Sequence, residues 1–171
     1  MRISANGGTP EQIAKLEKNE ANLIDPQILP DGKSIMFTCL PAPFRVMVQS
    51  LETGERRELF KGNTAKYLPT GHILYGSGND LYAVRFDPNA LRVIGAPVLM
   101  VEGVLSTLGA SQYAVSESGS LVYLPGNAST IANYTLVWVD RNGREESIAA
   151  QPSSLYSQLR VSPDGTRVAL V

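Results

Sequence analysis

Four glycines constrain this chain more than any other feature. Gly32, Gly71, Gly119 and Gly165 each close a short turn between two apolar stretches, and they stand 39, 48 and 46 residues apart. The stretches are Gln27 to Phe37, Lys66 to Tyr75, Ala114 to Tyr123 and Arg160 to Leu170. Four residues before each glycine stand Ile28, Tyr67, Val115 and Val161; three after it stand Ile35, Leu74, Val122 and Val168. Immediately before it come Asp31, Thr70, Ser118 and Asp164. Such columns spell a β-hairpin: Pro presets φ, Asp or Ser accepts from the backbone, and Gly takes the positive φ that closes the turn. A chain that repeats a hairpin every forty-odd residues buries its faces by stacking unit on unit.

A second hairpin follows most of the first ones. Arg45 to Gln49 leads through Glu52-Thr53-Gly54-Glu55 to Arg57-Glu58-Leu59-Phe60. Leu81 to Phe86 leads through Asp87-Pro88-Asn89 to Pro97 through Val101, and Leu136 to Val139 leads through Asp140-Arg141-Asn142-Gly143 to Glu146-Ser147-Ile148. Four short strands in about 44 residues is the size of one β-propeller blade. The expected architecture is therefore all-β, a propeller of four-stranded antiparallel blades in a single domain over residues 1–171. Whole blades are expected at 24–61, 64–102 and 110–150. An outer half blade is expected at 1–14 and an inner half at 155–171. Thr9-Pro10-Glu11-Gln12 competes locally as a helix start, with a Thr cap and Pro in the first turn; the repeat register favours a strand there.

The Pro-Asp-Gly hairpins, clearest in Ser162-Pro163-Asp164-Gly165-Thr166-Arg167-Val168-Ala169, resemble the repeats of TolB-like propellers, often called WD-repeat-like. Similar repeats occur in sensor-type domains linked to bacterial serine/threonine kinases and in the propellers of prolyl-oligopeptidase-type peptidases. Ser4-Ala5-Asn6-Gly7-Gly8-Thr9-Pro10 and Trp138-Val139-Asp140-Arg141-Asn142-Gly143 look most like the kinase-linked group. Thr70, and Glu117-Ser118, depart from the Pro-Asp-Gly pattern. True WD repeats carry Gly-His and Trp-Asp pairs; here His72 follows Gly71 in the wrong place and Trp138 precedes Val139. The resemblance implies a fold and leaves function open, because such repeats serve binding modules and enzyme-gating domains alike.

Composition narrows the chemistry. Fifteen basic against sixteen acidic residues leave a net charge of −1, and the one adjacent basic pair is Arg56-Arg57, so no nucleic-acid footprint is expected. Apolar runs are too short for membrane insertion. Residues 1–8 lack the apolar core of a secretory signal, which leaves compartment open, although intact relatives of the resembled group are often periplasmic. A lone cysteine, Cys39, excludes an internal disulfide and reads as a small buried hydrophobe on its strand. The single histidine, His72, starts a strand and reads as structural rather than as a catalytic base. No Gly-x-Ser-x-Gly occurs, and Gly76-Ser77-Gly78-Asn79-Asp80 lies between strands with no helix to receive a phosphate. Asp25, Asp31, Asp80, Asp87, Asp140 and Asp164 fall mostly in turns without a calcium-loop or zinc spacing. The sequons at Asn127 and Asn133 matter only in a glycosylating host.

What remains is the surface that propellers offer where loops feed the innermost strands. The candidate binding residues are Asp25, Gln27, Lys66, Tyr67, Gln112, Tyr113, Tyr156, Gln158 and Arg160. The expected role is a non-catalytic binding or scaffolding propeller belonging to a bacterial sensor or envelope protein, with a protein or small molecule at the channel mouth. No cofactor, no metal and no catalytic residue is expected. The alternatives are the accessory gating propeller of a prolyl-oligopeptidase-type peptidase and a metal-dependent lactonase-like propeller. The half blades complement each other in strand number, and a lone hairpin leaves an edge that templates other chains. A homodimer whose chains complete each other's half blades is the expected assembly.

Overall fold

A computed structural model describes residues 1–107, 109–126, 136–148 and 159–170 of the chain. Strands dominate, and no helix occurs among the described residues, none therefore long and apolar enough to cross a membrane. β1 (Asn22–Ile28), β2 (Ser34–Leu40), β3 (Arg45–Ser50) and β4 (Arg56–Lys61) form the first antiparallel sheet. β5 (Asn63–Leu68), β6 (His72–Ser77), β7 (Asp80–Asp87) and β8 (Arg92–Val101) form the second. A small hairpin, β9 (Ser106–Thr107) with β10 (Ala110–Ser111), precedes the third sheet of β11 (Tyr113–Val115), β12 (Leu121–Tyr123), β13 (Val137–Val139) and β14 (Glu145–Ser147). β15 (Leu159–Val161) and β16 (Val168–Leu170) make a two-stranded sheet. Strands follow chain order in every four-stranded sheet.

The turn chemistry explains the hairpins. Gly32, Gly71, Gly119 and Gly165 all take φ between 65° and 90°. Each donates its N–H to the residue three back, namely Leu29, Leu68, Ser116 and Ser162. Asp31 Oδ1 accepts from the amides of Lys33 and Ser34, and Asp164 Oδ1 from Thr166, so these carboxylates cap their own turns. Asp140 does the same for Asn142 and Arg144.

Alternation along each strand sends neighbours to opposite faces, and the sheets stack accordingly. Leu29, Met36, Val46 and Val48 of the first sheet pack on Ala65, Ile73, Val84 and Phe86 of the second. The next residue, Leu74, joins Leu81 on the other face against Val104, Tyr113, Tyr123 and Val137. Val122 and Leu136 then meet Leu159 of the two-stranded sheet. At the second junction Gly76 backs directly onto Asn63 and Ser111, whose Oγ donates to Asn63 Oδ1 at 2.8 Å.

The N-terminal region differs from its expected pair of outer strands, and it is not helical. Residues 2 and 11 meet in one antiparallel bridge, with Arg2 and Glu11 also ion-paired. Arg2 and Glu11 exchange both backbone hydrogen bonds, and Gly7 and Gly8 both turn through positive φ between them. The following segment crosses the free face of the first sheet, where Ile13 covers Ile35, Phe37, Cys39 and Met47. Side chains hold it: Gln49 Nε2 donates to Ile13 O at 2.8 Å, and Arg56 Nη2 to Lys15 O at 2.7 Å. Beyond, Glu20 accepts from Arg56 Nη1 at 2.8 Å and from the Cys39 thiol at 3.2 Å, with Arg45 at 3.4 Å. The Glu20 and Arg56 side chains are 1% and 6% exposed.

β8 is longer than its turn signals suggest, and it is the most exposed strand of its sheet. Val98, Leu99 and Met100 face solvent. Pro97 removes one edge donor from this strand, which blunts it as a template.

Candidate functional site

The innermost strands share an irregularity seven residues before the turn glycine. There Asp25 and Thr64 adopt φ of 52° and 47°, a region that non-glycine residues enter only when their surroundings impose it. The ladders slip at both places, between Ile24 and Gln27 and between Asn63 and Lys66. In the third sheet the equivalent Gln112 interrupts the run between β10 and β11. Bulges of this kind bend a strand and re-aim the next side chain. Asp25, half-buried, and Gln112, buried, mark this level, and Gln112 Nε2 donates to Ala110 O at 3.1 Å.

Two residues on, the side chains reach toward the next sheet. Gln27 clasps the free edge of β5: its Nε2 donates to Tyr67 O at 3.1 Å, and its Oε1 accepts from Tyr67 N–H at 2.8 Å. The amide thus plays the part of a neighbouring strand for one residue. Tyr67 packs its ring edge-on to Phe86. Tyr113 is buried, and its hydroxyl proton is shared between Leu74 O, at 2.9 Å, and Thr64 O. Burial, and then the charge of Asp25, push its phenol well above the usual tyrosine range. Gln27 and Tyr113 therefore spend their polar atoms inside the protein. Tyr113→Phe is expected to cost about 1–3 kcal/mol by stranding two buried carbonyls, read as a lower urea midpoint.

Lys66 behaves differently. It occupies the position of Gln27 in the next sheet and lines a cleft of about 130 Å³ with Gln27, Tyr67, Val115, Ser116 and Glu117. Loss of water around it pulls its ammonium below the usual lysine range; Asp25 opposes this and Arg160 reinforces it. Asp25 and Arg160, from two other sheets, thus both act on the Lys66 charge. Arg160 is exposed, with Nη1 on its neighbour's carbonyl, Leu159 O, at 3.0 Å. Tyr156, Gln158 and both sequons lie outside the described residues.

Groups with catalytic potential are otherwise engaged. Cys39 is buried, and burial followed by its bond to Glu20 pushes the thiol up to about 12. His72 Nδ1 sits 3.1 Å from Thr70 O in its own turn. No group of three or more His, Cys, Asp or Glu poised for a metal occurs among the described residues. The Glu20 cluster has no trace in the sequence, because Lys15 to Glu20 looks like a solvated charged run and Arg56 stands among Glu55, Arg57 and Glu58.

Neither the protein-family models nor the curated proteins contain a match to the chain. Solved structures do resemble it. TolB from Acinetobacter baumannii superposes with a TM-score of 0.67 at 19% identity, over 98% of this chain and 41% of that one. A puromycin-hydrolysing peptidase of Mycobacterium tuberculosis gives 0.65 at 15% identity, over 92% and 26% respectively. A 6-phosphogluconolactonase-like protein of Bacteroides fragilis gives 0.53 at 14%, over 98% and 55%. The chain has a TolB-like β-propeller fold, and it spans about half or less of each of these relatives in structure.

Proposed function

We propose that the chain is a binding propeller, three whole blades with an inner half blade after them, whose inner rim holds a ligand and performs no chemistry of its own. The observation that carries this reading is the bulge repeated at Asp25 and Thr64, with the break at Gln112 falling in the same column of the third sheet. Backbone strain repeated at equivalent positions is kept where a surface must be shaped. The binding surface comprises Asp25, Lys66, Gln112 and Arg160, while Gln27, Tyr67 and Tyr113 hold the rim in place; Tyr156 and Gln158 are kept as candidates from the sequence. A bacterial sensor or envelope protein is the proposed parent.

The test is a fragment screen of the isotope-labelled full chain by NMR, using small amides, sugars and carboxylates. Amide shifts at Asp25, Lys66 and Gln112 are the expected result. Responses confined to the outer strands β4 and β8 would refute the reading. A second reading, the gating propeller of a peptidase, draws on the superposition with the puromycin-hydrolysing peptidase; a hydrolase domain in the same open reading frame would decide for it.

Half-blade completion between two copies is the proposed assembly. It is supported by the two-stranded sheet of β15 and β16 among the described residues and by the single bridge between Arg2 and Glu11. Light scattering is expected to give twice the 18.4 kDa chain mass, and a monomeric mass would overturn it.

A further inference from the structure

The two junctions between whole sheets are built on one plan, and one of them lacks a part. Tyr67 and Val115 both stand four residues before a turn glycine. Ser116 N–H bonds Ser120 O across the β11–β12 ladder, and Leu124 N–H bonds Gln112 O. Bonded and non-bonded pairs alternate in an antiparallel ladder, so Val115, opposite Leu121, points its N–H and C=O away from β12 toward the free inner edge. At the first junction the corresponding groups of Tyr67 are both satisfied by the Gln27 side chain. At the second, Lys66 stands where Gln27 would, and no side chain clasps Val115 among the described residues. The cleft in front of it is the one that Lys66 lines with Val115 and Ser116.

Charge completes the argument. No ion pair to Lys66 forms among the described residues. Segments 127–135 and 149–158 contain no Asp or Glu, so no side chain there can neutralise it. Arg160 adds a second cation nearby, against Asp25 alone; Glu117, at the rim, is exposed to water.

We propose that this cleft is a carboxylate-binding site, in which an incoming carboxylate accepts from Val115 N–H and from the Lys66 ammonium, taking the place that the Gln27 amide takes on Tyr67. Lys66 has donors to spare for Val115 C=O as well. A neutral amide would also satisfy both backbone groups, but it would leave the half-buried ammonium without a counter-charge. The inference rests on the reading of the inner rim as a binding surface and names its ligand class.

The experiment titrates the labelled full chain at constant ionic strength with acetate, N-acetyl-alanyl-alanine and the carboxamide of that dipeptide, following the Val115 amide. Both carboxylates are expected to shift it, at least tenfold more tightly than the carboxamide. Tighter binding of the dipeptide than of acetate assigns a peptide C-terminus; equal binding assigns a free organic acid. Lys66→Gln is expected to install the missing clasp, raising the thermal midpoint and abolishing the acetate response, and Lys66→Met to abolish it without that gain. Equal response to carboxylate and carboxamide, or an unchanged response in both variants, would overturn the proposal. Neutral fragments that shift Asp25 and Gln112 while Val115 ignores carboxylates would sink this inference alone; a silent rim would sink the binding reading with it.

Discussion

Glu20→Ala is expected to destabilise the fold by about 3–5 kcal/mol, the usual consequence of removing one partner from a buried ion pair. The substitution leaves the Arg56 guanidinium, which also lies 4.9 Å above the Phe37 ring, buried with only the exposed Glu17 carboxylate, at 3.5 Å, as counter-charge. It also unties the segment of residues 13–20 from the apolar face it covers. Denaturant unfolding measures the effect, and Glu20→Ala combined with Arg56→Met is expected to recover part of it, because the second change removes the orphaned charge. A loss below about 1 kcal/mol, the scale of an exposed pair, would show that water screens the cluster.

The same group predicts the acid limb of stability. Burial opposes ionisation of Glu20, but hydrogen bonds from the Glu17 amide, the Cys39 thiol and Arg56 outweigh it and hold its carboxyl below the usual range. The unfolded chain therefore takes up this proton first. The stabilisation is complete above the ordinary value of about 4.3 and is lost as pH falls through the lower folded value. Asp31 shifts in the same direction, its desolvation outweighed by hydrogen bonds from Lys33 and Ser34. A shallower acid limb in Glu20→Ala than in the parent is the expected signature.

Gly76→Ala is expected to cost about 3 kcal/mol, at the upper end for overpacking. A Cβ there would lie 1.9 Å from Ser111 Oγ and 2.6 Å from Asn63 Oδ1. Neither neighbour moves freely, because Asn63 Oδ1 accepts from both the amide and the hydroxyl of Ser111. Backbone angles play no part, since Gly76 lies outside the left-handed region; the obstacle is volume. Gly76→Ala with Ser111→Gly returns that volume and is expected to regain much of the thermal midpoint. No rescue would mean that the Asn63 contact dominates.

The hairpins were legible because their causes are local. Asp31, Asp164 and the four turn glycines act within three residues of themselves, so one strand of sequence carries the whole signal. The irregularity at Asp25 and Thr64 stands in the same columns, yet Thr does not announce a positive φ, and Asp favours one more often in turns than inside a strand. Gln27 and Lys66 share a column too, but that each faces the free edge of the next sheet becomes visible only when the sheets are stacked. Tyr113 reads as an open aromatic at a strand start and is instead enclosed, since its hydroxyl finds carbonyls on an adjacent sheet. Residues 1–14 read as two strands because Arg2 to Ala5 and Pro10 to Ile13 flank a Gly-Gly turn. That pattern counts residues and does not show that the pairing is confined to the one bridge between Arg2 and Glu11.

The strict chain order of strands within each four-stranded sheet bears on how the protein reaches its native state. Every ladder joins consecutive segments, so each sheet closes only short loops and can assemble without waiting for distant parts of the chain. All-β proteins are slow when their pairings are remote in sequence; here the remote step is docking one finished sheet on the next. Nascent chains emerging from a ribosome would thus acquire structure sheet by sheet. The hazard of such modularity is exchange: similar neighbouring units invite one copy to lend a sheet to another, a failure characteristic of repeat architectures. Only the first of the two junctions carries a side-chain clasp among the described residues, so the second is the one where such exchange meets the smaller obstacle.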